Sequence, residues 1–224
     1  MNPAPTPLAP ALVPPYAAGA GIPAPALDAV RAAGWAWFQD ELANVTYTSP
    51  DGRCSLEFGP ETDRYRHDAE RLWVAEYRPE PGGERGWAAH FGADVPAEAI
   101  AAFVRVLTDP AGIRGAHPGY LAGAAENGAE AVFAAAETNG WVRAVRSATC
   151  TGTHGEVHLI YSAAPPEIPG QFLATGPHWR AAFPDGIYLR EWMAMFTADV
   201  PGEAISAFLE PLTDPAGLDP DRAQ

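Results

Sequence analysis

Three side chains in the second half of the chain have the types and spacing of a small metal site. Cys150, His154 and His158 follow one another at intervals of four residues across a predicted hairpin. A thiolate and two imidazoles are ligands that zinc prefers. The pattern is weak, because only three ligands are present and the first half of the chain has no counterpart. The string His-Gly-Glu-Val-His also differs from the helical His-Glu-x-x-His motif of metalloproteases. We therefore predict that the protein has no cofactor.

Aromatic side chains form a second group that could carry a function. Trp35 and Trp37 are two residues apart in a predicted strand, so they share one face of it. Trp179 lies in a predicted strand of the second half. Exposed rings of this kind stack on the bases of single-stranded nucleic acid. Buried rings in the same places would build the core of a sheet, which is the commoner role of strand tryptophans.

Arginines supply the only strong cations, because all 14 basic residues other than histidine are Arg. The segment 141–198 holds four of them against four acidic residues, so this part of the chain is locally neutral. If one surface binds an anion, the sequence favours these four side chains: Arg143, Arg146, Arg180 and Arg190.

The overall charge limits the classes of partner. The 224 residues carry a formal net charge of −14, which repels polyanions at long range. Nucleic acid is therefore a disfavoured partner, and anionic membranes are disfavoured for the same reason. No apolar run approaches the roughly 18 residues that cross a bilayer, and Met1–Pro15 lacks the pattern of a secretory signal. These features predict a cytoplasmic protein that does not bind membranes.

An internal repeat sets the domain organisation. Residues 86–112 and 191–217 align without gaps at an offset of 105, with 18 of 27 positions identical. A second pair of matching sites, Gly34-Trp35 and Gly140-Trp141, lies upstream at an offset of 106. We predict two repeats, at 23–112 and 125–217, joined by a linker at 113–124, with a Pro/Ala-rich tail at 1–22 and a second tail at 218–224.

Each repeat is predicted to run from a helix through four antiparallel strands to a second helix. The final helix of the first repeat has Ile100, Phe103, Val104 and Leu107 on one apolar stripe. In the second repeat Pro211 replaces Val106, which predicts that the helix ends about one turn early. The predicted strands are 35–48, 53–58, 72–77 and 86–91 in the first repeat, and 141–149, 156–162, 179–183 and 188–197 in the second.

Two amphipathic helices need a surface for their apolar stripes, and one face of a sheet provides it. The predicted fold class is therefore α+β, a tandem repeat in a pseudo-twofold arrangement. Packing of the repeats through their helices and joining of their sheet edges both remain open at this stage.

The first repeat resembles the actinobacterial domain-of-unknown-function family 317. The resemblance is carried by Gly34-Trp35, by Ser49-Pro50-Asp51-Gly52, by Trp73 and by the segment 87–103. The second repeat is more divergent, because Thr151-Gly152-Thr153-His154-Gly155 replaces the Ser-Pro-Asp-Gly turn. The resemblance implies an intracellular protein and brings no catalytic residues with it.

Three functional hypotheses follow. The leading one is a non-enzymatic binding or interaction protein, because the repeat contains no catalytic constellation. The second is single-strand nucleic-acid binding through aromatic residues of the sheet. The third is an enzyme with a site between the repeats, for which a deep pocket with titratable groups from one repeat only would be the mark.

Overall fold

The computed structural model describes residues 21–62, 71–109, 120, 128–146, 149–163, 176–183 and 191–213. The fold is α+β, as predicted, with one antiparallel sheet of ten strands and four α-helices over this part of the chain. Most of the predicted linker and both predicted tails lie outside the described residues, apart from Gly21, Ile22 and Tyr120.

The elements follow the same order in both halves. The helices are α1 (Ala24–Ala32), α2 (Ala97–Thr108), α3 (Gly128–Thr138) and α4 (Gly202–Leu209). The strands of the first half are β1 (Ala36–Gln39), β2 (Val45–Thr48), β3 (Cys54–Phe58), β4 (Trp73–Tyr77) and β5 (Trp87–Phe91). Those of the second half are β6 (Val142–Arg146), β7 (Thr149–His154), β8 (Val157–Ser162), β9 (His178–Phe183) and β10 (Trp192–Thr197).

The two halves join at the centre of the sheet. The strand order is β1-β2-β3-β4-β5-β10-β9-β8-β7-β6, so it reads the same from either edge. Strands β5 and β10 pair antiparallel, with His90 opposite Met195. These two residues are equivalent under the repeat offset of 105. This is the register that a pseudo-twofold axis through the middle of the sheet produces.

The prediction of four strands per repeat is not confirmed, because each half contributes five. In the first half, the segment predicted as one strand at 35–48 is split into β1 and β2. The split comes from Asp40, whose side chain accepts hydrogen bonds from the backbone N–H groups of Leu42 and Asn44, both at 2.9 Å. Ala43 then takes a positive φ of 66° to complete the turn. A short acidic side chain that bonds to its own backbone in this way is typical of a tight turn.

The second half is split in the same manner. Residues 149–154, which the sequence analysis treated largely as a hairpin turn, form strand β7. The turn to the next strand falls at 155–156 instead, where Gly155 has a φ of 55°. β7 contains threonines and a glycine, and it is stabilised because it pairs with β6 on one side and with β8 on the other.

The helix predictions are confirmed closely. The apolar stripe of α2 is buried at Ile100, Phe103, Val104 and Leu107. In the second half, α4 ends at Leu209 and a short 3-10 turn, Glu210–Thr213, takes the place of its last turn. Pro211 explains the change, because it has no N–H to donate to the helix.

All four helices form one layer against one face of the sheet. Within that layer α1 packs on α2, α2 on α4 and α4 on α3, which again mirrors the symmetry of the halves. The strand residues in this core all point to the same face of the sheet. They include Leu56, Ala75, Ala89, Ala181 and Leu159. No helix in the described residues is both long and apolar enough to cross a lipid bilayer.

Candidate functional site

The sheet has a second face, called here the far face, that points away from the helix layer. Because side chains alternate along a strand, the far face is built by the residues between those of the core. One row of directly opposed residues crosses the whole sheet on this face. In strand order the row is Phe38, Thr46, Glu57, Val74, His90, Met195, Arg180, Ile160, Thr151 and Ala144.

The far face is closed at its centre and opens over the second half. His90 is only 2% exposed and Met195 is buried, forming a small cluster with Met193 that is separate from the main core. Beside this cluster lies a groove of about 470 Å³, lined by strands β8, β9 and β10 and by the turn after β5. Its volume falls in the range of small-ligand sites.

The strand register shows how the floor of the groove is built. Arg180 lies opposite Ile160 on one side and Met195 on the other. In the next row, Ala182 lies between His158 and Met193. The far end of the groove is formed by Glu191 and by Asp94, which comes from the first half of the chain. The groove therefore needs both repeats, and the sheet joint at β5 and β10 holds them together.

Arg180 is the chemically distinctive group of the groove. Its side chain is exposed, and the structure gives it no hydrogen bond or ion pair with any described residue. Ala182 and Ile160 around it cannot bond to a guanidinium. An arginine in this setting presents a planar fork of N–H donors that matches a carboxylate or a phosphate.

The corresponding place in the first half has different chemistry. In the first half His90 pairs with Val74, and Glu76 lies two residues after Val74. In the second half Met195 pairs with Arg180, and Ala182 lies two residues after Arg180. Because His90 and Met195 are repeat equivalents, Glu76 occupies the position of Ala182. The Glu76 carboxylate forms ion pairs with two arginines. It is 2.9 Å from the guanidinium of Arg78 and 3.2 Å from that of Arg85. In the first half, Glu76 thus has two arginine partners, while in the second half no described residue pairs with Arg180.

The predicted tryptophans divide between the core and one edge of the sheet. Trp179 is 0% exposed and contacts the rings of Phe133 and Tyr161, and Trp35 is buried against Tyr120. Their prediction as binding residues is corrected on this point, because a base cannot stack on a ring inside the core. Trp37 is 59% exposed on β1, beside the exposed Phe38.

The predicted arginines are also distributed over different surroundings. The Arg143 guanidinium donates a 2.7 Å hydrogen bond to the Glu130 carboxylate. The same guanidinium lies over the ring of Phe133. The hydrogen bond from Arg143 lowers the pKa of Glu130. Arg146 is the last residue of β6, where it pairs with Thr149, and Arg190 lies outside the described residues. Arg180 lines the groove.

The predicted zinc ligands are not brought to one point. His154 lies opposite Val157, so it faces the core, where its ring is 6.1 Å from that of Trp141. His158 lies on the far face, on the other side of the sheet. Cys150 pairs with Tyr161 in the β7–β8 ladder. Nowhere in the described ranges do three or more metal-ligating side chains come together.

Sequence analysis missed the residues at the far end of the groove. Neither Asp94 nor Glu191 was among the candidate residues. A position-by-position comparison of the two halves would have marked Glu191, Met193 and Arg180, where the first half has Gly86, Ala88 and Val74.

Comparison with known proteins assigns the chain to a family. The family model described as "SPDY: Domain of unknown function (DUF317)" matches residues 48–113 and 154–218, which is more than half of the chain. Each match begins where β2 or β7 ends, and extends past the last helix of its half. No curated protein and no solved structure matches. The chain therefore belongs to the DUF317 family, and it carries two matching regions in tandem.

Proposed function

We propose that this chain is a non-enzymatic binding protein whose partner enters the groove on the far face of the second half. The observation that supports this proposal is the exposed Arg180 on the floor of a groove of about 470 Å³, where no described residue forms an ion pair or hydrogen bond with it. Such a group attracts a carboxylate or phosphate, and the apolar surface of Ile160, Ala182 and Met193 accepts an apolar body beside it.

The difference between the halves supports the same function. At matched positions of the far face, the first half has Val74 and Glu76, and the Glu76 carboxylate forms ion pairs with two arginines, whereas the second half has Arg180 and Ala182. Such a difference on the far face is expected when one repeat provides the scaffold and the other provides the site.

An enzyme with a site between the repeats is the second candidate. It is favoured by one observation, that His158, Asp94 and Glu191 line the same groove at the junction of the halves. A general base is commonly oriented by a hydrogen bond to a neighbouring group. His158 makes no such bond in the part of the chain that the structure describes.

Single-strand nucleic-acid binding has less support. The exposed rings, Trp37 and Phe38, lie on β1, six strands away from Arg180 on β9. Six strand spacings amount to about 29 Å. A stacking surface needs its cations beside its rings, so this separation argues against one continuous site.

The test is binding of small anions to the whole protein by isothermal titration calorimetry. Benzoate and phenyl phosphate are the probes, and benzamide is the neutral counterpart of benzoate. We expect benzoate to bind at least about tenfold more tightly than benzamide, because a charged hydrogen bond replaces a neutral one. Arg180→Ala should remove that preference.

Arg105→Ala is the matched control, because it removes the same charge from the exposed surface of α2 on the other side of the sheet. Equal effects of the two substitutions, or unchanged benzoate binding in Arg180→Ala, would contradict the proposal. Conversion of any bound probe would favour the enzyme. Binding of an oligothymidylate that is insensitive to Arg180→Ala would favour the nucleic-acid alternative.

A further inference from the structure

The groove carries opposite charges at its two ends. Arg180 lies at one end, and the carboxylates of Asp94 and Glu191 lie at the other. Both carboxylates are exposed, and neither makes an ion pair or hydrogen bond with the residues that the structure describes. Within the described residues, the groove therefore has one positive end and one negative end, neither of which is paired with a group of opposite charge.

The sheet geometry gives the distance between these ends. Arg180 lies opposite Met195 on β10, and Glu191 precedes Met195 by four residues. At about 3.4 Å per strand residue, the main-chain positions of the two ends are roughly 14 Å apart. Asp94 belongs to the same end as Glu191, because the turn that carries it is tied to β10 by a 3.0 Å hydrogen bond from Gly92 N to the Met193 carbonyl.

The middle of the groove is small and largely apolar. Ala182 leaves open the space that the side chain of Glu76 fills in the first half, and Met193 borders it. Among the groove-lining residues of this row, which are His158, Ala182 and Met193, the polar one is His158. A ligand that spans the groove thus meets an apolar floor between its two charged ends.

We infer that the ligand is a short zwitterionic peptide, extended along the strands, with its terminal carboxylate on Arg180 and its ammonium group between Asp94 and Glu191. This inference rests on the proposed function and adds the chemical class of the partner. An extended chain advances about 3.3–3.6 Å per residue, so a free tetrapeptide has the required length. Polyphosphates and other ligands with several negative charges are repelled by the carboxylate end. A single amino acid is too short to reach both ends.

The experiment measures binding of four forms of the peptide Ala-Leu-Leu-Ala to the whole protein. The forms are free, N-acetylated, C-amidated and blocked at both ends. We expect the free peptide to bind most tightly, and each single block to weaken binding about fivefold or more. In the double variant Asp94→Asn/Glu191→Gln, acetylation should no longer matter, while amidation should still weaken binding. In Arg180→Ala the pattern should be the reverse.

Asp199→Asn is the matched control, because Asp199 is the counterpart of Asp94 in the other repeat and does not line the groove. It should behave like the wild type with all four peptides. Sensitivity to amidation without sensitivity to acetylation would overturn the zwitterionic ligand and leave anion binding at Arg180 intact. If neither the peptides nor benzoate bind, the proposed function falls together with the inference.

Discussion

At the scale of single residues, Asp51 connects a hairpin turn to the body of the first half. The Tyr120 hydroxyl donates a 2.6 Å hydrogen bond to Asp51 Oδ2, and the Ser49 hydroxyl donates one of 2.7 Å to Oδ1. Burial raises the pKa of Asp51, but the hydrogen bonds from Tyr120 and Ser49 outweigh it, so that the pKa lies below its usual value. Burial and the bond to Asp51 raise the pKa of Tyr120. These hydrogen bonds give the Ser-Pro-Asp-Gly turn a structural role.

We expect Tyr120→Phe to lower the free energy of unfolding at pH 7 by about 1 kcal/mol, because one hydrogen bond to a partly exposed carboxylate is lost. The pKa of Asp51 is lowered by folding, so this contribution is complete above its unfolded value, near 3.9. It is lost as the pH falls through the lower folded-state value. Urea unfolding at pH 7 and near pH 3 measures the difference.

Tyr161→Phe is the control, because the structure records no hydrogen bond from the Tyr161 hydroxyl to a described residue. A difference between Tyr120→Phe and wild type that stays the same at pH 3 would contradict the assignment.

At the scale of elements, the two free edges of the sheet hold most of the exposed large apolar side chains among the described residues. Trp37 and Phe38 lie on β1, and Val142 and Val145 lie on β6. Edge strands are commonly protected by charged residues, because their free backbone groups can pair with another strand. β1 contains no charged residue, while Arg143 and Arg146 lie on β6. The two edges therefore differ in protection.

We expect Phe38→Lys to change the free energy of unfolding by less than about 0.5 kcal/mol, because this side chain is 68% exposed. Tyr47→Ala, one strand inward, should cost about 3 kcal/mol or more, because Tyr47 is fully buried. Chemical denaturation measures both. A large loss in Phe38→Lys would show that β1 is covered in solution, and light scattering would then reveal whether a second copy covers it.

At the scale of the whole molecule, the repeats are joined through both their sheets and their helices. Beneath the β5–β10 pair, Phe91 and Phe196 pack against Phe103 of α2 and Phe208 of α4, with ring centroids 5.2–5.7 Å apart. These four residues are two pairs of repeat equivalents. The same cluster thus belongs to the cores of both halves, which should make them unfold together.

We expect Phe208→Ala to cost about 3–5 kcal/mol, because it leaves a cavity in a fully buried aromatic cluster. The loss should affect both halves equally. Hydrogen exchange of β3–β4 amides and of β8–β9 amides, followed through urea unfolding, should give coincident transitions. Separate transitions for the two sets would contradict a shared core. Phe38→Ala, at the exposed edge, is the control and should leave both transitions in place.

The sequence by itself determined the features that depend on neighbouring residues and on internal similarity. The repeat, the apolar stripe of α2 and the early end of α4 at Pro211 were all predictable, because each follows from local spacing or from the chemistry of one residue. The α+β class followed from the same patterns. The missed strand breaks were local too: Asp40 and Asn44 carry the turn signal of the first, hidden within a segment of strand-forming residues.

Only the tertiary structure decided where the groove lies and what lines it. Arg180 was among the sequence candidates, but nothing local distinguishes it from Arg143, which Glu130 neutralises. Asp94 and Glu191 are almost a hundred residues apart in the chain, and they meet because β5 pairs with β10. Which tryptophans are exposed was likewise settled by the helix layer, which covers one face of the sheet. Pairing between distant strands depends on the whole set of packed surfaces, so it leaves no signal in any single segment.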